Sequence, residues 1–384
     1  MTTPQPGSAV AFDARPLTEA VDRARLAAYA RQASAAGTGP SAGRLVLFAV
    51  IGGIFLVVFT STFGVILVSR LGSSGGIVLP LLMLVVVGLA VWGGIAWWNR
   101  LLVRGYRLSG FAAANAMTYL PELKDPQLPG MLFDLGHGRI STDLVRGSAP
   151  RFVEFANYRY TTGSGKNSQT HDWGYIAIRL TVPLPNIVLD AQGNNGFLGS
   201  NLPASYDAHQ RLSLEGDFDR YFALYCPAGY ERDALYLFTP DIMARFVDSA
   251  SAFDVEIVDD WLFLYAQNRQ VSTLDPAVWA QAFGTVSAML TKLDQWARWR
   301  DDRLRAAGDT VAPSTAIPDP AALPALFAGG PVAPTPGDPA QPWSPPPGVA
   351  PGGRRLKRRF PWVSVLVFAG VAIAWLVFRT VLGP

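Results

Sequence analysis

The chain has a single cysteine, Cys226, among 384 residues, so no intrachain disulfide is possible and any core must be closed by apolar burial. Its apolar setting, Leu224-Tyr-Cys-Pro227, is that of an inert buried thiol. Histidine is scarce as well. His137, His171 and His209 stand far apart, and none has metal-ligand spacing to another histidine or to the cysteine. Only four of the 32 basic residues are lysine (Lys124, Lys166, Lys292, Lys357), a usage that, with abundant Ala, Gly and Pro, accompanies GC-rich bacterial coding. No HExxH pair occurs. Gly163-Ser-Gly-Lys-Asn167 matches a phosphate-binding loop only in part: Tyr160 stands where the first glycine is required, and Asn167 where Ser or Thr follows the lysine. The acids between Asp207 and Asp260 show no calcium-loop spacing and read as a solvated face. No catalytic, cofactor-binding or metal-ligating residue is assigned, and no cofactor is expected.

What the sequence does hold is apolar length. Mean hydropathy is +0.21. Three blocks carry no charge over membrane-spanning length: Leu45–Val68, Ile77–Trp98 and Pro361–Phe378. The first two, joined by Ser69–Gly76, read as a helical hairpin. Arginines on its outer flanks (Arg44 and the arm before it; Arg100, Arg104 and Arg107 after it) and the run 354–359 place the N-terminus and middle domain in the cytoplasm and the C-terminus outside. The net charge of +3 is concentrated beside these blocks, so no nucleic-acid surface is expected. Arg354, Arg355, Lys357, Arg358 and Arg359 form a basic run suited to anionic lipid head groups.

The expected organisation is an N-terminal arm (1–43) with a short helix near Pro16–Ala33, a transmembrane hairpin (44–98), a cytoplasmic α+β domain (99–305), a Pro/Ala/Gly-rich linker ending in the basic run (306–360), and a third transmembrane helix (361–384). Within the domain, a helix is expected over Phe111–Leu120. Period-two alternation predicts strands over Phe152–Thr162 and Gly174–Val182. Further strands are expected over Gly130–Leu135, Arg139–Val145, Ile187–Asp190, Arg211–Leu214, Ala234–Phe238, Val255–Val258 and Trp261–Tyr265. Thr239-Pro240-Asp241 reads as a helix start, and Asp275-Pro276 as another. The element order resembles an antiparallel sheet capped by helices, of pleckstrin-homology-like type.

Leu212-Ser-Leu-Glu-Gly-Asp-Phe-Asp-Arg-Tyr-Phe222, followed by Asp233-Ala-Leu-Tyr-Leu-Phe-Thr-Pro-Asp-Ile-Met243, resembles a signature of uncharacterised bacterial membrane proteins of unknown function, in which two hydrophobic helices come first. Gly216 and Phe238 depart from the family's usual Ser and Leu. The resemblance implies a membrane-anchored domain and no activity. The function expected is a membrane-tethered cytoplasmic binding or scaffold module, with membrane lipids and a protein partner at the inner leaflet. One alternative is a membrane-bound enzyme with a site in the 163–172 loop, around Lys166, His171 and Asp172. Another is a subunit of an oligomeric transporter or channel.

Overall fold

The structure is a computed structural model; it describes residues 12–35, 52, 78–148, 151–195, 200–290 (without 205, 215, 232–233 and 236–237) and 356. In chain order the elements are α1 (Arg15–Thr18), α2 (Arg23–Ala35), α3 (Val78–Ala114), β1 (Thr118–Lys124), β2 (His137–Gly147), β3 (Val153–Thr162), β4 (Gln169–Ala191), β5 (Arg211–Leu212), β6 (Phe222–Tyr225), α4 (Pro240–Ala250) and β7 (Asp254–Gln267). A last helix, α5, occupies 276–290.

All described strand pairings are antiparallel and form one seven-stranded sheet. The path runs β1-β2-β3-β4-β6-β5, and β7 lies along the other side of β4. The 23-residue β4 is the spine. Its first half sits between β3 and β7, its second between β6 and β7. Register shifts between Arg179, Leu184 and Ile187 coincide with Pro183 and Pro185, which have no N–H to donate to a ladder. The two strands expected over 174–190 are therefore one strand with an irregular middle. β7 likewise joins two expected strands, with Asp259 at φ 52° marking the junction.

Strand alternation divides the side chains between two cores. On one face Phe155, Ile176, Ile178, Leu189 and Leu264 meet α3 and α5. Phe111 of α3 lies 4.5 Å ring to ring from Trp279, and Phe155 lies 5.1 Å from Phe283. Phe12 of the N-terminal arm adds its ring 5.2 Å from Phe283, and Leu17 is fully buried. The arm is fastened by Asn115, whose Oδ1 accepts from Asp13 N (2.8 Å) and whose Nδ2 donates to Asp13 O (3.0 Å). On the opposite face Tyr158, Tyr160, Trp173, Tyr175 and Phe263 enclose Met131, Leu132 and Phe133. Leu356 also packs there, its N–H donating to Asn186 Oδ1 at 2.9 Å.

Among the described residues no helix is long and apolar enough to cross a membrane. That overturns the expected architecture of three transmembrane helices, and with it the membrane-protein description and the multi-pass cell-membrane placement. The expected second span falls in α3, which continues for 37 residues onto the sheet. Arg104 and Arg107, taken as flanking charges, are instead fasteners. Arg104 Nε meets Asp143 Oδ2 at 2.7 Å and its Nη2 donates to Ser272 O at 2.9 Å, while Arg107 Nη2 donates to Glu19 O at 3.1 Å. The N-terminal half of α3 exposes Val85, Leu89, Trp92, Ile95 and Trp97, and no described element covers them. The other two expected spans, the linker and the basic residues Arg354, Arg355, Lys357, Arg358 and Arg359 lie outside the described residues. The transporter or channel reading depended on the spans and goes no further.

Other expectations change within the domain. There is no barrel closure among the described residues: β1 pairs β2, β7 pairs β4, and the sheet stays open. Residues 130–135 form a turn that plugs the second core, because a short apolar run carries no periodicity to tell strand from plug. The helix expected over 111–120 stops at Ala114. Asn115 turns its amide back to Phe111 O (2.8 Å) and Ala116 adopts φ 55°, after which β1 runs through Pro121. An edge strand tolerates that proline. Ala234 and Leu235 are helical rather than extended, and Phe238 N–H donates to Ala234 O at 2.8 Å. The arm forms two helices interrupted after Thr18. At α4, Pro240 occupies the first turn, but the Thr239 side chain makes no capping bond.

Truncating the residue that joins arm, α3 and α5 tests this packing. Phe111→Ala is expected to cost about 3–5 kcal/mol, read as a lower urea midpoint of the full chain.

Candidate functional site

Where the first core ends, the same sheet face turns polar. Asn157, Arg159 and Asp172 follow Phe155 and Ile176 along it, and the chain leaving β7 folds back over them. Asn157, nearly buried, is the clamp. Its Oδ1 accepts from Val271 N (3.0 Å) and Ser272 N (3.3 Å), and its Nδ2 donates to Ser272 O (2.9 Å). Gly174 allows the close approach, since a Cβ there would lie 2.5 Å from Arg269 O and 2.7 Å from Val271 Cγ2. Asn268, at φ 53°, turns the chain, and its N–H donates to Asp172 O at 2.9 Å.

The result is an open groove of about 360 Å³ between the sheet and residues 268–270, with Thr142, Arg159, Asp172 and Trp173 on the sheet side. Arg159 Nε bonds Asp172 Oδ1 at 2.6 Å, with both side chains more than half exposed. Such a pair is screened and contributes little to stability, so it can re-pair with a ligand. Arg269 is exposed and has no ion-pair partner among the described residues. The groove therefore presents one engaged and one available guanidinium beside carboxamide groups. That set recognises carboxylates by paired N–H donors; it contains neither a nucleophile with an adjacent base nor a metal-ligand cluster.

The structure separates the three residues expected to share a loop site. Asp172 enters the groove. His171, its neighbour on β4, points to the other face, where it stacks on Tyr160 (4.8 Å, 17°) and shares a 2.9 Å hydrogen bond with Thr162 Oγ1. Lys166 lies in an exposed 3-10 turn at 165–167. Arg159 was legible as one member of a period-two strand. Asn157 was legible as a member of the same strand but not as a clamp, and Arg269 and Gln270 gave no sequence signal, because more than 100 residues separate the clamp from the chain it holds.

A second polar cluster occupies the far end of β4. Asp190 and Asp254 are 2% and 0% exposed, so the expected solvated acidic face does not hold for Asp254, nor for the buried Glu256. Asp254 Oδ1 accepts from Ala191 N (2.9 Å) and Asn194 Nδ2 (3.2 Å). Burial nevertheless pushes its carboxyl from 3.8 up to about 7; those two hydrogen bonds oppose the shift and the neighbouring Asp190 adds to it. Burial also raises Asp190, against hydrogen bonds from Ser200 and Asn195. Nearby, burial pushes the Cys226 thiol up to about 11, as an inert thiol requires. Phe218 and Phe222 of the signature segment stack at 5.2 Å, packing the chain that leads into β6.

No protein-family model matches the chain, and no curated protein matches it. Among solved structures, the crystal structure of the mycobacterial trehalose monomycolate transport factor A, TtfA, is similar over 50% of this chain and 94% of that one, at 14% identity and a TM-score of 0.35. Likeness at that level carries no inference about fold or function.

The Asp254 carboxyl gives a pH signature. Its folded pKa lies above its unfolded one, so its contribution is fully present below pH 3.8 and is lost as pH rises through about 7. In buffer with chelator, the chain is expected to lose stability across that window. Asp254→Asn should flatten the loss and melt higher than the parent at pH 8, as circular dichroism melts would show.

Proposed function

We propose that the chain is a binding or scaffold module whose groove takes an acidic segment of a protein partner. The observation that carries this reading is Arg269, which lines an open groove, is exposed and has no ion-pair partner among the described residues. Arg159 supports it, since its exposed bond to Asp172 can be exchanged for a partner carboxylate at little cost. The wall of the groove is preorganised. Asn157 holds residues 271–272 to the sheet, and Arg104 of α3 reaches Gln270 Oε1 at 3.2 Å. A wall already fixed spares the partner much of the ordering cost of binding. A peptide carboxylate meeting a guanidinium in this setting gains a charge-assisted bond, and the opposite charges steer its approach.

Fluorescence anisotropy with the purified full chain tests the reading, using labelled Glu/Asp-rich peptides and their Gln/Asn counterparts as probes. The acidic set is expected to bind more tightly, to weaken with added salt, and to lose at least about tenfold in affinity on Arg269→Glu. Equal binding of both sets, or no effect of Arg269→Glu, would count against it.

A further inference from the structure

At the end of β4 remote from the groove, four buried side-chain oxygens have no hydrogen-bond partner among the described residues: Asp190 Oδ1, Asp254 Oδ2, Asn194 Oδ1 and Asn201 Oδ1. They belong to one corner of the fold. Leu189 pairs with Val255 across β4 and β7, which makes Asp190 and Asp254 the next residues opposite one another, on the same face. The turn 192–194 follows directly, and Asn194 Nδ2 bonds Asp254 Oδ1 at 3.2 Å. Asn201 is tied to the same turn, its Nδ2 donating to Asn194 O at 3.3 Å and its N–H to Asn195 Oδ1 at 3.0 Å. With Oδ1 of Asp254 engaged, its second oxygen is left bare in a residue with no solvent exposure.

Two carboxylates facing each other out of water repel, and a buried oxygen left unpaired is destabilising. Arg211 acts on Asp190 only at longer range, and no arginine or lysine forms an ion pair with either carboxylate among the described residues. We propose that this corner binds a divalent cation of the calcium class, held by Asp190, Asp254, Asn194 and Asn201. The donor set decides the class. All four atoms are hard oxygens, two anionic and two carboxamide, which is what calcium takes, with water completing its shell. No histidine or cysteine is among the four ligands, so the set does not suit soft-donor metals. The two carboxylates match the charge of the ion, and the cation satisfies all four oxygens at once. The site is separate from the groove and does not depend on its function.

Terbium, a luminescent stand-in for calcium, gives a direct test on the purified full chain. Tyr225, next to the corner on β6 and paired with Val188, can sensitise the bound ion. Tyrosine-excited terbium emission is expected to saturate and to be displaced by calcium. It should fall at least tenfold in Asp190→Asn/Asp254→Asn, with Asn201→Ala as a milder variant that weakens calcium competition severalfold. Calcium should also raise the melting temperature of the parent and not of the double variant. Absence of sensitised emission, emission unchanged in both variants, or melting indifferent to calcium would each overturn the proposal and leave the corner to buried water.

Discussion

At about 3.3 Å per residue a straight strand as long as β4 would reach roughly 75 Å, well beyond the width of a domain of about 200 residues. The strand must bend, and the place where it bends decides which neighbours it can have. Pro183 and Pro185 interrupt the ladder to β7 at the point where pairing to β3 has ended and pairing to β6 has not begun. One strand thereby serves two half-sheets. Both cores are built on its two faces, the groove opens at its beginning and the acid–amide corner closes its end.

The polar regions follow from that geometry. Where helices cover the sheet, the face is apolar. Beyond α3 and α5 it must end in groups that water or hydrogen bonds can satisfy, and Asn157, Arg159 and Asp172 occupy that margin. At the opposite margin the acids are not solvated. They are enclosed by the turn 192–194 and by Asn201, and the raised Asp254 carboxyl is the electrostatic consequence. Glu154 shows how the same fold handles a buried acid it can pair: Arg146 and Tyr175 both bond it. No arginine or tyrosine bonds Asp254 among the described residues.

The strands were legible where polar and apolar residues alternate, as in 152–162, and the helices where an aspartate and a proline together mark each start, near 240 and 275. Legibility failed where alternation is absent. The run 130–135 is apolar because it plugs a core, and the helix over 111–120 was extended past Asn115 because nothing local shows that Asn115 bonds the N-terminal arm. The charges after the apolar stretch were counted by position, whereas Arg104 is committed to Asp143 and Ser272 by tertiary contact. The groove was half visible. Asp172 could be singled out, but sequence adjacency tied it to His171, and the pleat sends those two side chains to opposite faces. Arg269 and Asn157 line one groove only because β7 lies beside β4.

Amide hydrogen exchange followed by mass spectrometry tests the role of β4 most directly. If this strand is the spine, amides of 174–178 and 187–190, together with their partners in β7, exchange only through global unfolding, while edge strands β1 and β5 open sooner. Exchange in β4 as fast as in β1 would contradict the account.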